Sequence, residues 1–224
     1  MSDQAPASAG LPRPPTSSSP GLVLGLVLLP LAGAAVLRAV WYLPEPLNRY
    51  CLLVGVPVLY SGLAVVLVAT TQTAWRLTFL SATTWLPLLR FSLITLAVEA
   101  GLRLALMGLK GGPMAWEALF STLHLPAIYV FRRLVGSPLG EELLFRGWLL
   151  GFLTARMPGT SRIGILSLSH ANMLSSVAFA LIHAGNGVTN VATAYVCSLV
   201  LGAAQERSKS LLVPIWCHFL FNLV

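Results

Sequence analysis

Two carboxylates and a guanidinium sit inside an apolar stretch, GEELLFRGWLL, at Glu141, Glu142 and Arg146. Charge at membrane depth is costly, so such groups pair with one another, face a protein interior or do chemistry. Glu142 and Arg146 are one helical turn apart, a spacing that pairs them. Glu141 is rotated about 100° from Glu142 and is left for other work. Two imidazoles and an amide follow on later apolar segments. His183 lies in FALIHAGNG, and His218 and Asn222 lie four apart in HFLFN, on one helix face. Side chains of these types, drawn into one cavity, can take, hold and donate protons. Each has a plainer reading too. Glu141 can accept helix N-terminal amides, His183 can cap a helix C-terminus, His218 can be a satisfied core histidine, and Asn222 can bridge helices. Four such placements on the last four helices are harder to explain together in that way.

The elements that must position these groups are membrane helices. The 224 residues are 56% hydrophobic and 9% charged, against about 25% charged in a soluble domain. The net charge of +7 suits a basic rim against anionic headgroups. No basic cluster interleaved with aromatics is present, which argues against nucleic acid. Cys51, Cys197 and Cys217 share no metal or disulfide spacing and read as small buried hydrophobes.

The sequence predicts an all-α, polytopic transmembrane bundle of about eight helices. Residues 1–20 read as a disordered Pro/Ser/Ala-rich tail, and 21–224 as a single membrane domain whose chemistry-bearing core is 137–224. Helices are expected over about 21–43, 50–71, within 78–108, 114–131, 137–156, 166–184, 188–205 and from 211 onward. Ser137 is the expected N-cap of the fifth, with Pro138 in its first turn. Glu99 and Arg103 pair four apart on the third. His170 and Asn172 read as structural, and His124 fits no interpretable spacing. Alternating the loops puts Arg13, Arg76, Arg132 and Arg133 on the side of the site, and Arg49, Lys110, Arg156, Arg162, Arg207 and Lys209 opposite. The positive-inside rule then turns the site outward.

Three motifs carry a resemblance. EELLFR fits EExxxR, FALIH fits FxxxH through Phe179 and His183, and HFLFN fits HxxxN. In this order, over about residues 137–222, they resemble the CPBP intramembrane proteases, also called the CAAX-protease, bacteriocin-processing or Abi family. The resemblance implies an intramembrane endopeptidase in a helical bundle. It implies that Glu141 and His183 activate water, that His218 and Asn222 stabilise the oxyanion, and that Glu142 and Arg146 support them. On this reading there is no cofactor. The alternative is a zinc-dependent version of the same protease, with Glu141, His183 and His218 as ligands. HExxH is absent, and adjacent helical glutamates point about 100° apart, which disfavours both on one metal.

The expected partners are the bilayer and a peptide or membrane-protein substrate: a C-terminal sorting helix, a leader peptide or a prenylated tail. Residue usage looks bacterial, so the expected location is the bacterial inner (plasma) membrane. Two other classes stay open: a non-catalytic scaffold or immunity protein, and a transporter using Glu141 and His183 as a proton relay.

Overall fold

The structure, a computed structural model, describes residues 28, 32, 35, 39, 40, 42–45, 47, 51–71, 85–110, 126–163 and 166–223. The N-terminal tail, most of the expected first helix and His124 lie outside them. The described residues are mostly helical. A π-helical turn, Cys51–Gly55, leads into α1, Val56–Thr71. Then come α2, Trp85–Lys110, and α3, a continuous helix over 127–154. An antiparallel hairpin, β1 Thr160–Ile163 with β2 Leu166–Ser169, follows. The chain closes with α4, His170–Leu181, α5, Val188–Ser208, and α6, Leu212–Leu223.

Among the described residues two stretches, Trp85–Leu106 and Val188–Ser208, are long and apolar enough to cross a membrane, and Pro57–Leu67 and Leu212–Leu223 are shorter apolar helices. Leu86, Leu89, Leu93 and Leu104 on α2, and Val58, Val65 and Val66 on α1, point outward and exposed. Such apolar faces suit lipid rather than water.

α3 departs from the sequence reading. The segments 114–131 and 137–156 were expected as two helices; residues 127–154 form one. Ser137 does not cap it, and the Gly136 to Ser137 backbone is already helical. Pro138 lacks an N–H and its ring crowds the carbonyl four residues back. The helix absorbs this by widening into a π turn over Arg132–Gly136, where Ser137 N–H donates to Arg132 O. A second π segment spans Leu143–Leu149, so that Leu150 N–H donates to Phe145 O.

The segment 166–184 was expected as helix from its start. LSLS instead pairs with TSRI, Thr160 opposite Ser169 and Ile163 opposite Leu166. The four residues alternate, with Leu168 buried and Ser167 exposed, which is the strand period rather than the helix period. Ser169 then caps α4, its hydroxyl accepting from Asn172 N–H at 2.9 Å.

Two apolar clusters hold the helices. Tyr60, Leu144, Phe145, Trp148, Phe152 and Phe179 join α1, α3 and α4. Phe91, Leu201, Val213 and Phe221 join α2, α5 and α6. α1 meets α3 closely at Gly140, where a Cβ would lie 3.2 Å from Pro57 O and 3.3 Å from Tyr60 Cβ. α4 and α5 meet at Gly202, whose missing Cβ leaves room for the buried Asn172 carboxamide.

The directions of α1 and α2 overturn the loop alternation. Pro57, at the start of α1, lies against Gly136 and Gly140 near the start of α3, while Leu67 joins the core farther along. α1 and α3 therefore run the same way. Trp216 Nε1–H donates to Ser92 Oγ at 3.1 Å, and Glu99 and Arg103, later on α2, line the cleft that Phe221 and Asn222 also line. α2 thus runs alongside α6, and its Lys110 end points to the side of the site. With Arg132 and Arg133 inside a helix rather than in a loop, the basis for an outward-facing site is gone.

Candidate active site

The site begins on α3. Glu142 is fully buried, and Arg146 and Glu141 are nearly so. Arg146 Nη1–H donates to Glu142 Oε1 at 3.0 Å, the expected one-turn pair. Arg146 also reaches α5: its Nη2–H donates to Ser198 Oγ at 2.7 Å and to Ser198 O at 3.2 Å. The guanidinium lies 4.6 Å over the Phe179 ring of α4. One cation therefore ties three helices together and bridges the two apolar clusters.

Glu142 does more than pair with Arg146. The same oxygen, Oε1, accepts from His218 Nδ1–H at 2.8 Å. A carboxylate on Nδ1 fixes the ring and directs Nε2 the other way. There Nε2 meets Glu141 Oε2 at 3.8 Å, beyond direct hydrogen-bond range. Facing about 100° apart did not send the two glutamates to separate places, as the sequence reading had it. Both side chains reach His218, one at each ring nitrogen, because the imidazole of α6 lies between them.

His183 falls just past α4, in the turn that leads to Ala184–Asn186. Its Nδ1–H donates to Phe179 O at 2.9 Å, since a carbonyl can only accept. Nε2 is then the ring nitrogen turned to other partners. Phe179 separates the two imidazoles: its ring centroid is 4.9 Å from that of His183 and 5.9 Å, edge-on, from that of His218. The phenylalanine of FxxxH is thus the packing surface for both histidines and the cation.

Asn222 follows His218 by one turn and is inside α6, which continues to Leu223. Its Nδ2–H donates to Arg133 O at 2.9 Å, tying the end of α6 to the start of α3.

Glu141, His183, His218 and Asn222 all line one cleft of about 520 Å³. Glu142 and Arg146 stand behind it. Sequence reasoning missed several residues that build the site. Ser198 anchors Arg146, and nothing marks it among the uncharged residues of 163–205. Glu99 and Arg103, on the half of the chain that carries no motif, line the cleft too. They pair as expected, Arg103 Nε–H to Glu99 Oε1 at 2.8 Å, and a charged pair deep in an apolar run was the available signal. Tyr129, Arg132, Arg133, Asn186 and Asn190 are among its other lining residues.

The zinc alternative needs Glu141, His183 and His218 as one ligand group. Among the described residues no three His, Cys, Asp or Glu side chains are grouped to hold a metal ion, and Nδ1 of His218 is engaged by Glu142.

Residues 123–224 match the family model described as type II CAAX prenyl endopeptidase Rce1-like. This is the family that the three motifs resemble, and the matched segment holds Glu141, His183, His218 and Asn222. No curated protein and no solved structure matches the chain.

Proposed function

We propose that this chain, whose residues 123–224 carry the pattern of the type II CAAX prenyl endopeptidases, is an intramembrane endopeptidase that hydrolyses a peptide bond through a glutamate-activated water. The family is one of membrane-bound proteases acting on peptide or membrane-protein substrates. The observation that supports the reading here is the convergence of Glu141, His183, His218 and Asn222 on one cleft.

In the proposed mechanism Glu141 takes a proton from water as the oxygen attacks the scissile carbonyl. His183, held at Nδ1 by Phe179 O, presents Nε2 to orient that water. The carbonyl oxygen becomes an oxyanion. His218, protonated on both nitrogens with Nδ1–H on Glu142, offers Nε2–H to it, and the Asn222 amide is the second donor. Glu141 then returns its proton to the departing amine as the C–N bond breaks. Glu142 and Arg146 keep His218 in place throughout. Donors fixed before reaction need no reorganisation as charge develops, which is why a buried, braced imidazole suits this role.

The substrate is a segment of a membrane-associated or exported protein, and the proposed location is a bacterial plasma membrane. The test is cleavage by the purified full chain in liposomes. The substrate panel holds a sorting-signal helix, a leader peptide and a prenylated tail, with Glu141→Ala and a chelator as separate arms. Cleavage abolished in Glu141→Ala and unchanged by chelator is the expected result. Loss in chelator with recovery on adding zinc would replace the glutamate mechanism by the metal one. No cleavage of any member would turn the search to binding partners.

A further inference from the structure

A peptide drawn between membrane helices loses the water that bonded its backbone, and every N–H or C=O left bare there is costly. A protease working at that depth has to replace those bonds. A strand edge is the common partner, but the one sheet among the described residues is the β1–β2 hairpin. The hairpin joins the end of α3 to the start of α4, whereas Glu141 lies toward the start of α3 and His183 just past the end of α4. Helix backbones do not serve either, since their N–H and C=O groups bond within the helix. Side chains must supply the partners.

α5 carries a set of them. Asn190, Thr193, Ala194, Cys197 and Leu201 line the cleft, and their helical spacing keeps them on one face. This stripe is polar at the end that follows His183 in the chain and apolar farther along. Asn186, in the turn between α4 and α5, lines the cleft as well and extends the polar end. Among the described residues the side chains of Asn186, Asn190 and Thr193 make no hydrogen bond. Their backbone is nevertheless fixed: Asn186 N–H donates to His183 O at 3.0 Å, and Asn190 N–H to Gly187 O at 3.1 Å. Gly187 has φ +95°, a conformation that glycine adopts without steric cost, and there the chain turns into α5. Polar side chains set in a membrane helix face a cavity and mark the path of what it binds.

We propose that this face of α5 binds the backbone of the substrate: the Asn190 carboxamide accepts from a peptide N–H and donates to a C=O on the same edge of an extended segment, and Thr193 donates to a neighbouring C=O. This rests on the endopeptidase reading above and adds the substrate class, a segment that enters unfolded and extended. A carboxamide holds an acceptor and donors in one plane. An extended residue turns its own N–H and C=O to one edge, as in an antiparallel pair, so the two match. Thr193 lies about 4.5 Å farther along α5 by helix rise, within the span of one or two extended residues. A helical segment has already spent its backbone groups on itself and gains nothing from the stripe.

The test uses the full chain in neutral-lipid liposomes and one cleaved peptide whose amides, other than the one that is cut, are replaced one at a time by esters. An ester removes the N–H and weakens the C=O as an acceptor while every side chain stays. Wild type should lose about five- to twentyfold in kcat/KM at one amide, the range of a hydrogen bond whose partner is left unpaired, chiefly through KM. The amides on either side, whose N–H groups face the other edge, should matter less. Asn190→Leu should show a similar loss on the parent peptide and no further loss on that one ester, with the effects of the other esters unchanged. Asn190→Gln, which keeps a carboxamide, should recover part of the loss. Asn190 is exposed in the cleft, so the unfolding midpoint of Asn190→Leu should equal that of wild type, and Thr193→Val is a second variant that should couple to an ester nearby. A wild-type profile with no sensitive amide overturns the proposal. So do unchanged kcat/KM in both variants, and variant losses that add in full to the ester loss at every position, which would mark the stripe as packing. If wild type cleaves nothing, the endopeptidase reading fails, and binding of the labelled panel peptides and their ester forms to the full chain decides the stripe separately: one ester that binds more weakly, with the difference lost in Asn190→Leu, supports it, and equal binding or none refutes it.

Discussion

Glu141 and Glu142 are neighbours in sequence with opposite expected responses to the same substitution. Glu142→Gln keeps the side-chain shape and removes the charge. Its Oε1 serves both Arg146 at 3.0 Å and His218 at 2.8 Å. Without the carboxylate, Arg146, about 2% exposed, keeps neutral acceptors and the face of Phe179 but no anion in contact. Breaking one partner out of a buried ion pair costs about 3–5 kcal/mol, because the remaining charge is uncompensated. Against a total stability of about 5–15 kcal/mol that is a large fraction. Glu141→Gln removes a charge whose contact to His218 is 3.8 Å long, and the expected stability change is within about 1 kcal/mol. The assay is unfolding of the detergent-solubilised full chain by a denaturing detergent, followed by the helical circular-dichroism signal, beside peptide cleavage. The expected pattern is Glu141→Gln stable and inactive, and Glu142→Gln destabilised as well as inactive. Adding Arg146→Met to Glu142→Gln should recover part of the lost stability, since removing both charges leaves none unpaired. Equal stability of the two single variants, or a double variant worse than the sum of its parts, would refute the assignment of Glu142 as the buried brace.

Two other expectations concern packing. Gly202→Ala places a methyl on the Asn172 carboxamide, which is held by Leu199 O and Ser176; it should destabilise by about 1–3 kcal/mol and lower the unfolding midpoint, and a midpoint equal to wild type would show that Asn172 can move. Ser198→Ala removes one acceptor from Arg146 but leaves Ser198 O; a loss of about 1–3 kcal/mol is expected, with cleavage retained in the surviving folded fraction, and loss of activity without loss of stability would give Ser198 a role beyond anchoring.

Much of the site was legible because membrane burial makes polar residues conspicuous. In an apolar sequence every Glu, His and Asn must be explained, and spacing alone pairs Glu142 with Arg146 and puts His218 and Asn222 on one face. The misreadings came where a local signal was outweighed by its neighbours. Ser137–Pro138 has the composition of a helix start, yet a π turn carries the helix through it. LSLS sits in an apolar run long enough for a helix, yet Thr160–Ile163 was near enough in sequence to pair with it. The loop alternation failed because it placed Arg132 and Arg133 in a loop between two helices, where residues 127–154 form one.

The sequence by itself determined which groups had to be accounted for: the apolar composition that makes each buried charge costly, the one-turn pair, and the imidazole and amide a turn apart on the last helix. These follow from residue type and helical period, which act over a few residues. Only the tertiary structure decided that Glu142 serves Arg146 and His218 with one oxygen, that Ser198 and Phe179 hold the cation, that α2 contributes Glu99 and Arg103 to the cleft, and that α5 turns Asn190 and Thr193 to it. Those depend on how helices far apart in the chain pack and on which way a side chain points within the packed bundle. Periodicity along a single segment carries no information about either.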